Sequence, residues 1–154
     1  MPTTDLVAPN AIIPALKVNG KKQALQEISA KAAELTGQNE RAILEILLQR
    51  EKLGSTGVGS GVAIPHGKLD GLERIYGLAV RLAEPLPYKA IDGQPVDLVF
   101  LLLSPPDAGA EHLKALAAVS RLMRHAGIVE KLRGARSRDA MAAVLLGAEE
   151  RDAA

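Results

Sequence analysis

Six consecutive apolar residues, Leu98-Val99-Phe100-Leu101-Leu102-Leu103, closed by Ser104-Pro105-Pro106, constrain the fold of this chain more than any other segment. An unbroken apolar run of strand length reads as a β-strand covered on both faces and central in its sheet. Such a strand needs helices to cover it, and the flanking sequence supplies them. Residues 21 to 36 place Leu25, Ile28, Ala32 and Leu35 on one face at helical spacing, with Asn19-Gly20 as the entry turn. After Gly37, Asn39 can cap a second helix striped by Ile43, Leu44, Leu47 and Leu48 and ending near Gly54. Residues 110 to 124 repeat the pattern through Leu113, Leu116, Val119 and Leu122-Met123, with His112 in the opening turn. A short helix near 128 to 133 and a last one after Ser137 follow. Val62-Ala63-Ile64 is a short β-type run stopped by Pro65, and Tyr76, Leu78, Val80 and Leu82 alternate as in a half-buried strand. Strands interspersed with helices predict an α/β sandwich, helices covering a sheet.

The 154 residues hold no repeat, linker or block of like charge, so residues 1–154 read as a single domain. Nineteen basic against eighteen acidic residues give a net charge of +1, too weak a field for nucleic acid or anionic lipid. Tyr76, Tyr88 and Phe100 are the only aromatics, which leaves almost nothing for bases or sugars to stack on. Without cysteine there is no disulfide, no thiol nucleophile and no thiolate metal site. The first ten residues lack an export signal and no apolar run approaches membrane-spanning length, so a cytoplasmic location without membrane insertion is expected. Chemistry is left to polar side chains and backbone.

The segment Gly54-Ser55-Thr56-Gly57-Val58-Gly59-Ser60-Gly61 carries four glycines and three hydroxyls and reads as a loop. It fits neither the Walker spacing nor the Rossmann spacing, and it follows a helix and precedes a strand, the reverse of a dinucleotide loop. No HExxH is present, so no metal site is expected. What remains is His66, just past the Pro65 stop. Neutral imidazole is nucleophilic and can accept a phosphoryl group on one nitrogen while the other is held by a hydrogen bond. Free backbone N–H groups between Ser55 and Gly61 can form an anion-binding concavity, and Arg50 in the preceding helix turn can supply forked contacts. His112, near a helix N-terminus, is kept neutral by the dipole and can donate one hydrogen bond to the same anion. Plainer readings stand beside these. His66 can be a half-exposed polar cap, His112 a helix cap, Arg50 a solvated helix end and the glycines a tight reversal. His125, near a helix C-terminus, reads as structural.

The stretch from Arg50 through Gly54-Ser55-Thr56-Gly57-Val58-Gly59-Ser60-Gly61 to Ile64-Pro65-His66-Gly67-Lys68 closely resembles the signature of the mannitol/fructose class of IIA proteins. These are components of the bacterial phosphoenolpyruvate phosphotransferase system. Asp92 to Leu103 and Ala108 to Leu116, which includes Glu111-His112-Leu113-Lys114-Ala115-Leu116, look like the nitrogen-regulatory branch, and Asp5-Leu6 and Pro9 extend the likeness over nearly the whole chain. The resemblance implies an α/β fold with helices on both faces of a small mixed sheet. It implies that His66 is phosphorylated on Nε2 by an HPr-like carrier, NPr in this branch. Arg50 and His112 would line the site, and Ser55, Thr56, Gly57, Gly59 and Gly61 would cradle the phosphate. It implies no bound cofactor, Mg²⁺ being needed only upstream. It further implies regulated partners such as potassium-transport regulators or sensor kinases. A rival within the class is a IIA unit for fructose or mannitol uptake that passes the group to a IIB cysteine. A binding module without turnover is disfavoured by the intact His66 and Arg50, and a nucleic-acid-binding regulator by the charge.

Overall fold

The computed structural model describes residues 7–8 and 10–153, with side chains up to residue 148; Asp5-Leu6 and Pro9 lie outside the described residues. The chain order is β1 (Ile12–Leu16), α1 (Lys21–Thr36), α2 (Glu40–Lys52), β2 (Gly57–Gly59), β3 (Val62–Ala63), β4 (His66–Lys68), β5 (Tyr76–Leu86) and β6 (Val96–Ser104). Three helices follow: α3 (Ala110–Arg124), α4 (Ala126–Gly134) and α5 (Arg138–Ala153). The apolar run is the centre of the sheet. β6 pairs antiparallel with β5 on one side and parallel with β3 and β4 on the other, in the order β1-β5-β6-β3-β2. β1 pairs parallel with β5, so the sheet is mixed. Successive strand residues face opposite sides, and every residue from Leu98 to Ser104 is buried, so both faces of β6 are covered. α1 and α2 pack on each other and reach β5 and β4; α3 packs on β6, α5 on β1, and α4 joins α3 to α5.

Pro65 interrupts a strand and does not end it. The partners Val62↔Leu98, Ala63↔Val99 and His66↔Leu102 keep one constant offset, so β3 and β4 follow a single line along β6. Pro65 has no N–H, but its carbonyl accepts from Leu102 N at 3.0 Å while Ile64 N turns aside to the Thr56 carbonyl at 2.9 Å. His66 is therefore the first residue of a strand, where the sequence placed it beyond a strand's end. The glycine segment is likewise more ordered than a loop. Gly57–Gly59 pairs antiparallel with β3, and the turn runs through positive φ at Gly59 (103°), Ser60 (56°) and Gly61 (81°). β1 is an element the sequence reading lacks. Pro14 breaks its apolar pattern, and such a residue is tolerated here because β1 lies at the sheet edge and its register shifts between Ile13 and Leu16.

Asn39 caps α2, its side chain accepting from Ala42 N at 2.9 Å. His125 caps α4, accepting from Ile128 N at 3.3 Å, so that helix starts two residues before the expected boundary. In α3 the expected stripe holds at Val119, Leu122 and Met123, and the departure is confined to the first turns. Leu113 is 66% exposed, whereas His112, Ala115, Val119 and Leu122 form the buried row. Among the described residues no helix is long and apolar enough to cross a membrane.

Among the described residues one core hydroxyl stands alone: Ser29 in α1 is fully buried and its Oγ has no hydrogen-bond partner there. A desolvated, unpaired hydroxyl costs stability, and alanine is the better helix former. Ser29→Ala is expected to be neutral or to stabilise by about 1 kcal/mol in urea unfolding. A clear loss of stability would show that the hydroxyl has a partner.

Candidate active site

His66 opens β4 opposite Leu102 and is half-buried. Its Nδ1 lies 2.8 Å from the Ile64 carbonyl oxygen. A carbonyl can only accept, so Nδ1 carries the proton and, in the neutral ring, Nε2 keeps its lone pair. Arg50 in the last turn of α2 points Nε at that lone pair from 3.4 Å, and its Nη1 donates to the Gly54 carbonyl at 2.8 Å. His112 in the first turn of α3 faces the same ring, with centroids 6.0 Å apart and planes tilted by 45°. Its Nδ1 is 2.6 Å from Ser104 Oγ. Burial foremost, then the neighbouring His66 and Lys68 charges, hold the His112 pKa below the ordinary histidine value, so this ring is neutral at pH 7.

Helix α2 reaches β4 because Gly67 has no side chain. A Cβ at Gly67 would run into Ile46 Cγ2, and Ile46 and Arg50 stand one turn apart on the same face of α2. The bare glycine beside His66 thus lets the helix settle at the distance from which Arg50 reaches the imidazole. Ile46 is β-branched and stiff, so relief requires moving the helix or leaving a rotamer minimum. Gly67→Ala is expected to cost about 1–3 kcal/mol in urea unfolding. Combined with Ile46→Ala, the total should be less than the sum of the single effects. Strict additivity would mean that crowding against Ile46 is not the cause.

The loop residues divide into two groups. Thr56 is buried; its N–H donates to Glu51 Oε1 at 3.0 Å, its hydroxyl bonds Glu51 Oε2, and Tyr88 OH lies 3.2 Å from it. Lys21 closes this cluster with an ion pair to Glu51 at 2.8 Å and with Nζ 4.3 Å from the Tyr88 ring centre. Burial first, and then the Glu51 charge, push the Tyr88 phenol above its ordinary range, so it stays a donor. Ser55 Oγ donates to the Tyr88 carbonyl at 3.1 Å and accepts from Gly57 N at 3.1 Å. A Cβ at Gly57 would stand 2.7 Å from Ala90 Cβ, so this glycine serves a close approach of two backbones. These contacts pin the segment after Arg50 to the scaffold.

Gly59 and Gly61 sit in the β2–β3 turn, which Arg133 and Asp92 hold through Ser60. Val62, next to that turn, faces Leu98, four residues along β6 from the partner of His66, or about 13 Å at strand rise. The structure therefore brings Arg50, His66 and His112 together, keeps Ser55, Thr56 and Gly57 chain-adjacent to them, and sets Gly59 and Gly61 at the other end of the strand. Sequence reasoning missed Glu51, Lys21, Tyr88, Ser104 and the Gly67–Ile46 fit. Only Ser104, the polar residue that closes the apolar run, carried a usable signal. Among the described residues no three side chains able to hold a metal ion converge.

The profile described as "Phosphoenolpyruvate-dependent sugar phosphotransferase system, EIIA 2" matches residues 5–147. A "Nitrogen regulatory protein" of Bradyrhizobium diazoefficiens is 68% identical over 145 residues, covering 94% of this chain and 95% of that protein. The crystal structure of the nitrogen regulatory protein IIA-Ntr from Neisseria meningitidis is similar with a TM-score of 0.87 at 34% identity, covering 93% of this chain and 98% of that one. IIA mannitol from Escherichia coli shares the fold with a TM-score of 0.75 at 18% identity, over 90% and 97% of the respective chains.

Proposed function

Because the chain belongs to the EIIA 2 family of the phosphoenolpyruvate-dependent sugar phosphotransferase system, we propose that it is a regulatory phosphocarrier phosphorylated on Nε2 of His66. The donor is a phosphohistidine on an HPr-like carrier, NPr in the nitrogen branch. The phosphorylation state then governs binding to regulated proteins of the potassium-transport-regulator or sensor-kinase kind. The observation that carries this reading is the Ile64 carbonyl 2.8 Å from His66 Nδ1, which leaves Nε2 as the nucleophile. The 68% identity to a nitrogen regulatory protein favours regulation over sugar uptake.

Chemically, the Nε2 lone pair attacks phosphorus as the donor's P–N bond breaks and its electron pair returns to the donor ring. A donor ring that enters protonated leaves as neutral imidazole. His66 becomes the phosphoimidazolium, still protonated at Nδ1, and the Ile64 carbonyl accepts from that positive ring. No net proton moves. A loose transition state spreads negative charge over three equatorial oxygens, so positioned donors matter more than acid–base groups. Arg50 supplies a planar, permanently charged fork, and His112 a neutral ring whose Nε2 is free of the Ser104 contact. Ser55 and Thr56 act by fixing the backbone that follows Arg50, and Gly57 by its fit against Ala90. Gly59 and Gly61 shape the β2–β3 turn.

The reading is tested by incubating the protein with labelled phosphoenolpyruvate, Enzyme I and an HPr-type carrier. Label on the protein that is lost in acid and stable in alkali supports it; no carrier-dependent label refutes it.

A further inference from the structure

Resting on the phosphocarrier reading, the structure assigns Ser104 as a positioning residue that holds His112 in the tautomer presenting Nε2–H to the phosphoryl group on His66. Ser104 is fully buried at the end of β6, and its Oγ lies 2.6 Å from His112 Nδ1. Its backbone is fixed from the same strand that carries the nucleophile. Ser104 is the register partner of Lys68, two residues past His66, and its carbonyl accepts from Leu69 N at 2.9 Å.

A neutral imidazole has one proton, and a hydroxyl beside one nitrogen can donate to it or accept from it; a phosphoryl group on His66 can only accept, which selects the arrangement in which Ser104 donates to Nδ1 and Nε2 keeps the proton. When the Ser104 hydroxyl donates to Nδ1, the ring proton resides on Nε2 and the ring is a donor toward the anion. With the proton on Nδ1, Nε2 would turn a lone pair toward phosphoryl oxygens. The low basicity of His112, caused by its burial and by the facing His66 and Lys68, matters here because a doubly protonated ring would need no such guidance. Ser104 touches no reacting atom and acts through His112. It is also the one polar side chain among the buried residues Leu98 to Ser104. A packing residue at that position has no need of a hydroxyl.

The test is ¹⁵N NMR of the His112 ring, before and after phosphorylation, in wild type, Ser104→Ala and Ser104→Thr, together with the rate of phosphoryl transfer from the carrier. In wild type the phosphorylated protein should show a protonated Nε2 and an unprotonated, hydrogen-bonded Nδ1 on His112. Ser104→Ala should shift both signals toward a tautomer mixture and slow acceptance roughly tenfold, the worth of one well-placed hydrogen bond. Ser104→Thr, which keeps the hydroxyl, should restore signals and rate. A His112 tautomer unchanged in Ser104→Ala overturns the assignment, whatever happens to the rate. The ring signals are also readable in unphosphorylated protein. Failure of phosphorylation in wild type would therefore count against the phosphocarrier reading, and an unchanged tautomer against Ser104.

Discussion

His66→Ala is expected to abolish carrier-dependent phosphorylation, a loss of at least about a thousandfold, because it removes the proposed nucleophile. The chain has no cysteine, and the two remaining histidines are committed elsewhere. His125 Nδ1 caps α4 through Ile128 N, and His112 is buried with Nδ1 on Ser104. His66 itself is half-buried, and among the described residues its ring bonds only the Ile64 carbonyl and Arg50. The alanine variant should therefore keep its urea-unfolding midpoint near that of wild type while losing the label. Label retained at wild-type stoichiometry would move the chemistry to another residue.

The second large effect is expected at Arg50. Arg50→Lys should slow transfer about a hundredfold, even though the charge is kept, since removing one preorganised donor from a transition-state site costs on this scale. In the structure one guanidinium does two things: Nη1 holds the Gly54 carbonyl at 2.8 Å and Nε faces His66 Nε2 at 3.4 Å. Anchored in this way, the plane of the group is set before the phosphoryl oxygens arrive. A lysine ammonium is a flexible point charge and cannot hold the carbonyl and the anion in a fixed fork at once. Rapid-quench measurement of label transfer from the phosphorylated carrier checks this. Equal rates in wild type and Arg50→Lys would show that Arg50 contributes charge alone.

The parts of the fold legible in the sequence are those where burial imposes an unambiguous period. Leu98 to Leu103 announced a central strand because both faces of β6 are covered, and the caps at Asn39 and the stripes of α1 and α2 followed ordinary helical chemistry. What was hidden had local signals that pointed elsewhere. Pro14 disguised β1 because an edge strand spares one N–H, and Pro65 looked like a terminus because only the register along β6 shows that the strand resumes. Gly57–Gly59 carries no alternation to mark it as a strand.

In α3 a polar residue, His112, occupies the inward position, and Leu113 beside it is exposed. A hydrophobicity pattern alone favours the leucine. The trio proposed to act was legible because Arg50, His66 and the glycine segment are close in sequence and His112 lies within a distinctive block. The support around it was not. Glu51, Tyr88 and Lys21 meet across α1, α2 and the segment after β5, and the Gly67–Ile46 fit depends on the packing of a helix against a strand.

The Ile64 carbonyl, by fixing the His66 tautomer, is expected to decide which nitrogen receives the phosphoryl group. The most direct measurement is ³¹P and ¹⁵N NMR of the ¹⁵N-labelled protein after phosphorylation by the carrier. A P–N bond at Nε2 of His66, with Nδ1 still protonated, is the expected result; a P–N bond at Nδ1, or on any other residue, would rule out a tautomer set by Ile64.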